Sequence, residues 1–141
     1  IQLRKLKDWV EKRRQNAAIL TNAFMNIPAL RVTIPPADVY HACYKYYVFL
    51  KPEMLKKGWN RERVIVAINE LGIPCFTGSC SEMYLEKAFD ADNLRPNKRL
   101  PVAQELGDTA MMFLVHPTLT EEDMKDMVQA VEKVMAYASH S

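Results

Sequence analysis

Over residues 1–26 the apolar positions Leu3, Leu6, Val10, Ala17, Leu20 and Phe24 recur at alternating steps of three and four, interrupted by the charged Arg13. That period puts them on one stripe of a long amphipathic helix. Glu11, Lys12, Arg13, Arg14 and Gln15 fall mostly on the other side and read as a solvated face. Ile27-Pro28 stops the helix, because a residue before proline is pushed out of helical geometry. Val32-Thr33-Ile34 is a loop or short edge strand, broken by Pro35-Pro36. Residues 41–51, His-Ala-Cys-Tyr-Lys-Tyr-Tyr-Val-Phe-Leu-Lys, are rich in aromatic and branched side chains, which predicts a strand.

Asn60 is placed to cap a helix over 61–70, with Val64, Ala67, Ile68 and Leu71 on its core face. Gly72 follows where a helix end favours left-handed backbone. Ile73-Pro74-Cys75-Phe76 predicts a short strand, Gly78-Ser79-Cys80-Ser81 a turn, and 82–88 a short helix. Asp90 to Arg99 is polar and loop-like. Pro101 opens a helix through about Gly107, and Ala110–Val115 is a buried strand ended by His116-Pro117. Thr120 caps the last helix, with Glu121, Glu122 and Asp123 in the first turn, where the helix dipole favours acids. Met124, Met127, Val128, Val131, Val134, Met135 and Ala138 line one face of it.

This order predicts an α+β domain of three or four short strands with helices packed mainly on one face. Pattern alone leaves the strand directions open. With 141 residues the chain fits one domain, read as a linking helix over 1–26 and a sheet-and-helix body over 27–141. A net charge of +2 gives no electrostatic reason to expect nucleic acid or an anionic membrane. The longest purely apolar run, Ala110–Val115, is far short of the roughly 20 residues of a membrane span. The start, Ile1-Gln2-Leu3-Arg4-Lys5, has no signal-peptide pattern and reads like the middle of a longer chain. Cys43, Cys75 and Cys80 form no disulfide framework, which fits a reducing, cytoplasmic setting.

Candidate chemistry is sparse. Cys75 and Cys80 have no partner at zinc-ligand spacing, so small apolar or turn-lining thiols are the expected reading. A nucleophilic cysteine would need a base, and nothing in the sequence brings His41 or His116 to one. His116, at a strand end, reads as a structural residue. No Gly-rich phosphate loop or metal-binding helix motif is present. Lys45 sits among aromatics on a predicted strand, and its head is expected to reach solvent past the sheet. The stretch Gly78–Lys87 stands out. Small hydroxyl residues with free N–H groups at a turn can hold an anion, or Ser79 or Ser81 can simply cap a helix. No self-sufficient active site is legible, and no catalytic residue is assigned.

Several segments, in order, resemble the DegT/StrS-type sugar aminotransferases. Leu3–Arg14 looks like the long helix entering their C-terminal small domain. His41–Val48 is similar to their His-x-x-Tyr-x-Tyr strand, and 62–73, ending Leu71-Gly72-Ile73, to their helix closing on a Gly-Ile pair. Pro101-Val102-Ala103-Gln104-Glu105-Leu106 and His116-Pro117-Thr118-Leu119-Thr120-Glu121-Glu122 resemble two further family segments. The resemblance implies the small domain of a type I pyridoxal-phosphate enzyme, α/β in class when joined to its parent. It implies transfer of an amino group, usually from glutamate, to a nucleotide-linked keto sugar for polysaccharide, lipopolysaccharide or antibiotic-sugar synthesis. The Schiff-base lysine and most of the cofactor site would lie in a large domain upstream, and the parent would be a homodimer. The fragment alone would be inactive and bind no cofactor. Many members carry a His-Tyr-Pro segment whose His faces substrate. Counting from Gly72, this chain has Gly78-Ser79 there, so Ser79, Cys80, Glu82 and Tyr84 become the candidate substrate contacts. The alternatives are a small domain of an amino-acid enzyme, with Arg95 or Arg99 gripping a carboxylate, or a non-catalytic binding module.

Overall fold

The computed structural model describes residues 2–90 and 95–140. Ile1 of the predicted first helix, part of the predicted 90–99 loop and Ser141 lie outside that set. Among the described residues four α-helices and four strands form, the helices in chain order being α1 (Gln2–Phe24), α2 (Arg61–Glu70), α3 (Pro101–Thr109) and α4 (Glu121–Ala138). Four strands, β1 (Leu30–Val32), β2 (Tyr46–Leu50), β3 (Cys75–Phe76) and β4 (Ala110–Phe113), form one sheet in the order β1-β2-β4-β3. Every neighbouring pair is antiparallel. The architecture is α+β.

The register explains the core. Tyr46 pairs with Phe113 and Val48 with Met111, so these four side chains share one face of the pleat. Leu20 and Phe24 of α1, Val64 and Ile68 of α2, and Met124, Val131 and Met135 of α4 pack in the same buried cluster. Phe24 is fully buried, with its ring centroid 6.0 Å from Tyr46 and 5.6 Å from Phe113. α3 lies toward the opposite face. There Arg31 sits 4.3 Å over the Phe49 ring and 3.5 Å from Glu105 of α3.

The helix ends follow from local chemistry. The Asn60 side chain accepts from Arg63 N–H, and Gly72 follows α2 at φ +83°. Thr120 accepts from Asp123 N–H while the Asp123 carboxylate accepts from Thr120 N–H, a reciprocal capping box. The Thr120 hydroxyl, at 2.6 Å, and then its N–H, both donating to the Asp123 carboxylate, hold that carboxyl below its usual range. Asn16 of α1 is fully buried, and its amide donates to the His116 carbonyl at 3.2 Å, tying α1 to the turn before α4.

Several expectations need correction. Leu3 and Leu6 are exposed, at 83% and 46%, because α1 leaves the body before its first turns meet a partner surface. Leu71 is also exposed, lying past the last turn of α2. The predicted 41–51 strand begins only at Tyr46. Cys43 adopts φ +46°, and its N–H donates back to His41 Nδ1 at 3.1 Å, a local turn that cannot continue a ladder. β1 sits earlier than Val32–Ile34 and β4 ends at Phe113, short of Val115. The predicted 82–88 helix is two separate 3-10 turns, Met83–Leu85 and Lys87–Phe89. No described helix is long and apolar enough to cross a membrane.

Candidate functional site

The turn that cuts β2 short builds a hollow. A concavity of about 470 Å³ opens beside it, lined among others by His41, Cys43, Tyr44, Lys45, Tyr47 and Ser79. A second, of about 260 Å³, shares His41, Cys43, Lys45 and Tyr47 and reaches Thr21 and Phe49. No carboxylate among the described residues lines either one. Arg14 of α1 donates to the His41 carbonyl at 3.1 Å and lies 4.4 Å over the Tyr40 ring. Arg13 lies 5.7 Å over Tyr44. The basic cluster of α1 is therefore partly engaged by this turn rather than simply solvated. Burial pushes the Cys43 thiol up, and the Arg14 charge offsets part of that.

The four predicted contacts separate. Ser79 reaches the concavity, and its Oγ lies 2.7 Å from the Tyr47 hydroxyl. Gly78 makes this approach possible. It sits at φ +92°, and a Cβ there would stand 2.6 Å from Tyr47 Cε1. Cys80 is exposed and points at the Glu86 carboxylate, 3.5 Å away.

Glu82 and Tyr84 belong to a clasp. Glu82 accepts from Arg99 through both Nε, at 2.9 Å, and Nη2, and from the Tyr84 hydroxyl at 2.5 Å. Its side chain is only 11% exposed. The Arg99 and Tyr84 hydrogen bonds hold its carboxyl at about 2. Arg99 is raised in turn, chiefly by Glu82, and burial followed by the Glu82 bond pushes the Tyr84 phenol up. The Tyr84 oxygen also accepts from Leu100 N–H at 3.0 Å, closing the stretch onto the start of α3. The anion-holding and simple-cap readings both miss this. In the described residues Glu82, not Ser79 or Ser81, organises the segment.

The arginines weighed for a carboxylate are occupied. Arg95 donates to the carbonyls of Leu85, at 2.6 Å, and Glu86, and pairs with Asp90 at 2.5 Å. Arg99 is held by Glu82. His116 and His41 serve different turns, with His116 Nδ1 2.8 Å from the Thr118 hydroxyl. Cys75 is buried under Asn69, whose side chain bonds its N–H and C=O, and burial pushes its thiol up to about 12. A thiolate is strongly disfavoured there.

Sequence reasoning passed over Tyr47 and read Gly78 as a turn former without its contact to that ring. Tyr47 looked like one more strand aromatic, and only the positive φ of Gly78 could have hinted at a close approach. The described residues do not by themselves form a pyridoxal-phosphate site. No lysine among them is buried, and none of their acids lines the concavity that holds Lys45 to face a pyridine nitrogen. Among the described residues no cluster of three His, Cys, Asp or Glu could hold a metal.

Comparison with known proteins gives a consistent picture. A family model described as the DegT/DnrJ/EryC1/StrS aminotransferase family matches residues 1–132. An aminotransferase from Psychrobacter cryohalolentis is 49% identical over 97% of this chain and 37% of its own, with a TM-score of 0.91. The aminotransferase TlmJ from Streptoalloteichus hindustanus is 20% identical over 96% of this chain and 34% of its own, at 0.81. The Helicobacter pylori aminotransferase involved in pseudoaminic acid biosynthesis is 15% identical over 96% of this chain and 35% of its own, at 0.83. The last two likenesses speak to the fold alone. The chain thus spans about a third of the length of the solved structures it matches. No curated protein matches it.

Proposed function

This chain belongs to the DegT/DnrJ/EryC1/StrS aminotransferase family, and from that premise we propose that it is the C-terminal small domain of a sugar aminotransferase. The parent moves an amino group from a donor, glutamate, to a nucleotide-linked keto sugar for amino-sugar biosynthesis of the polysaccharide or lipopolysaccharide kind. The observation that carries this reading is the match at 49% identity along nearly the whole chain to little more than a third of an aminotransferase. Pyridoxal phosphate supplies the carbonyl that receives the donor's amino group and the electron sink for proton transfer. It is held by the rest of the parent, since the residues here do not fit it.

The part left to this chain is shape and orientation. The body presents the His41–Tyr47 turn and Ser79 as one wall of a cleft. Closing that wall over substrate excludes water and fixes the sugar's pose. α1 is the linking helix: its first residues, Gln2 through Asp8, are all exposed, and Leu3 and Leu6 await an apolar partner surface. That surface is the large domain of the parent, which works as a homodimer in the cytoplasm. The free thiols Cys43, Cys75 and Cys80 suit a reducing compartment.

The test compares this chain with the full-length parent, each supplied with pyridoxal phosphate, glutamate and a nucleotide-linked keto sugar. Amine transfer by the parent and none by residues 1–141 is the expected result. A parent that aminates only free keto acids overturns the sugar reading. Turnover by residues 1–141 alone overturns the claim that the chain lacks a complete site.

A further inference from the structure

The contact between the Gly78–Ser79 turn and β2 goes beyond the assignment of a domain. Tyr47 is half-buried, and its ring fills the space that a side chain at position 78 would need. Its hydroxyl and the Ser79 hydroxyl lie 2.7 Å apart and both residues line the 470 Å³ concavity. Two hydroxyls that share one hydrogen bond leave one O–H free to donate and lone pairs on both oxygens free to accept. Such a pair suits a neutral group that both donates and accepts. The lone pairs left on both oxygens favour a group that also donates over a carboxylate, which only accepts, and over a purely apolar group. Among the described residues no acid lines the hollow, and the Lys45 side chain beside it supplies a further donor, to which the oxygen of a hydroxyl or acylamino group can accept.

Resting on the sugar-aminotransferase reading, we propose that Tyr47 and Ser79 together form a specificity subsite for a hydroxyl or acylamino substituent of the sugar ring. Gly78 is the positioning residue for that subsite, because only a residue without Cβ lets the Tyr47 ring lie where it does. Ser79 takes this part from a turn, through a partner on β2. Cys80, Glu82 and Tyr84 fall outside the subsite. Their side chains bond to Glu86, Arg99 and Leu100 instead.

The experiment uses the full-length holoenzyme with Tyr47→Phe, Ser79→Ala and the double variant. Acceptor kinetics are read beside calorimetric binding of the nucleotide-linked amino-sugar product. Loss of one neutral hydrogen bond predicts a KM for the sugar and a product Kd raised roughly five- to tenfold in each single variant, with kcat within about twofold of the parent. The double variant is expected to fall well short of the product of the two single effects, because the two hydroxyls act as a unit. Unchanged KM and Kd in both single variants overturn the subsite while leaving the wider reading standing. A fall in kcat with KM and Kd unchanged also overturns it, since that marks a structural role. A wild-type holoenzyme that binds and turns over no nucleotide-linked sugar overturns both, and is recognised before any variant is made.

Discussion

The sheet face that carries Val48 and Met111 and the stretch from Thr77 to Leu100 are held together by different forces. On the sheet face, side chains from α1, α2 and α4 meet β2 and β4 in a dry cluster, and almost nothing polar enters it except Asn16. Its cohesion is apolar burial and close packing, spread over many residues. Among the described residues of the other stretch no large side chain is fully buried. One carboxylate, Glu82, gathers Arg99 and Tyr84, while Arg95 gathers Asp90 and two carbonyls. Cohesion there is concentrated in a few directional bonds. The first arrangement tolerates substitutions that preserve shape and volume. The second can be remade by changing one or two side chains, which suits a segment beside the proposed substrate wall.

Substitutions on the two sides sharpen the contrast. Phe24→Ala removes a fully buried ring between Tyr46 and Phe113, and a loss of about 3–5 kcal/mol in the unfolding free energy is expected from denaturant titration. A loss under about 1 kcal/mol would mean that the cluster is not the seat of stability. Thr120→Ala removes the capping box of α4, which packs on the same core, and should cost about 1 kcal/mol in the same titration. Glu82→Gln should leave the global midpoint nearly unchanged, because Arg99 and Tyr84 lie outside the core. Its effect should appear instead as faster protease cleavage between Thr77 and Leu100. If the midpoint falls as far as for Phe24→Ala, the two regions are one cooperative unit and the contrast fails.

Acid tests the same clasp without mutation. Glu82 titrates at about 2 in the folded chain against an ordinary value of 4.5. A depressed carboxyl contributes stability that is fully present above the ordinary value and lost as pH falls through the folded one. Cleavage of the stretch should therefore be flat above about pH 5 and rise as the pH drops from 4.5 toward 2. A carboxyl resonance of Glu82 titrating near 4.5 would show the clasp open in solution.

What the sequence made legible follows the same division. α2 and α4 announce themselves because period, cap and terminator coincide: Asn60 with Gly72, and Thr120 with Asp123. The buried run at Ala110 is apolar on both faces and is equally plain. Strand direction was hidden, because it depends on which distant strands pair and not on any local period. The end of β2 was hidden by a single residue. Tyr44 and Lys45 look as strand-like as Tyr46, but the left-handed Cys43 turns the chain away. The 3-10 turns at 83–89 were mistaken for a helix because the Glu82–Arg99 contact joins residues far apart in sequence. Turn chemistry drew attention to Ser79, whereas its contact with Tyr47 shows only once the Gly78 backbone is seen against that ring.

The central pairing of the sheet has a consequence for how this domain can change. β2 and β4 lie side by side, yet the chain between Leu50 and Ala110 contains α2, β3, the clasped stretch and α3. Closing so long an excursion is a slow step on the way to the native state, since the pairing is non-local. The entropy of closure, however, grows only with the logarithm of length, about 0.6 kcal/mol for each doubling. Residues inserted between Thr77 and Leu100 would thus burden the β2–β4 pair very little. The architecture separates a slowly assembled frame from a length-tolerant insert, so lineages can lengthen or shorten the segment beside Ser79 without renegotiating the frame.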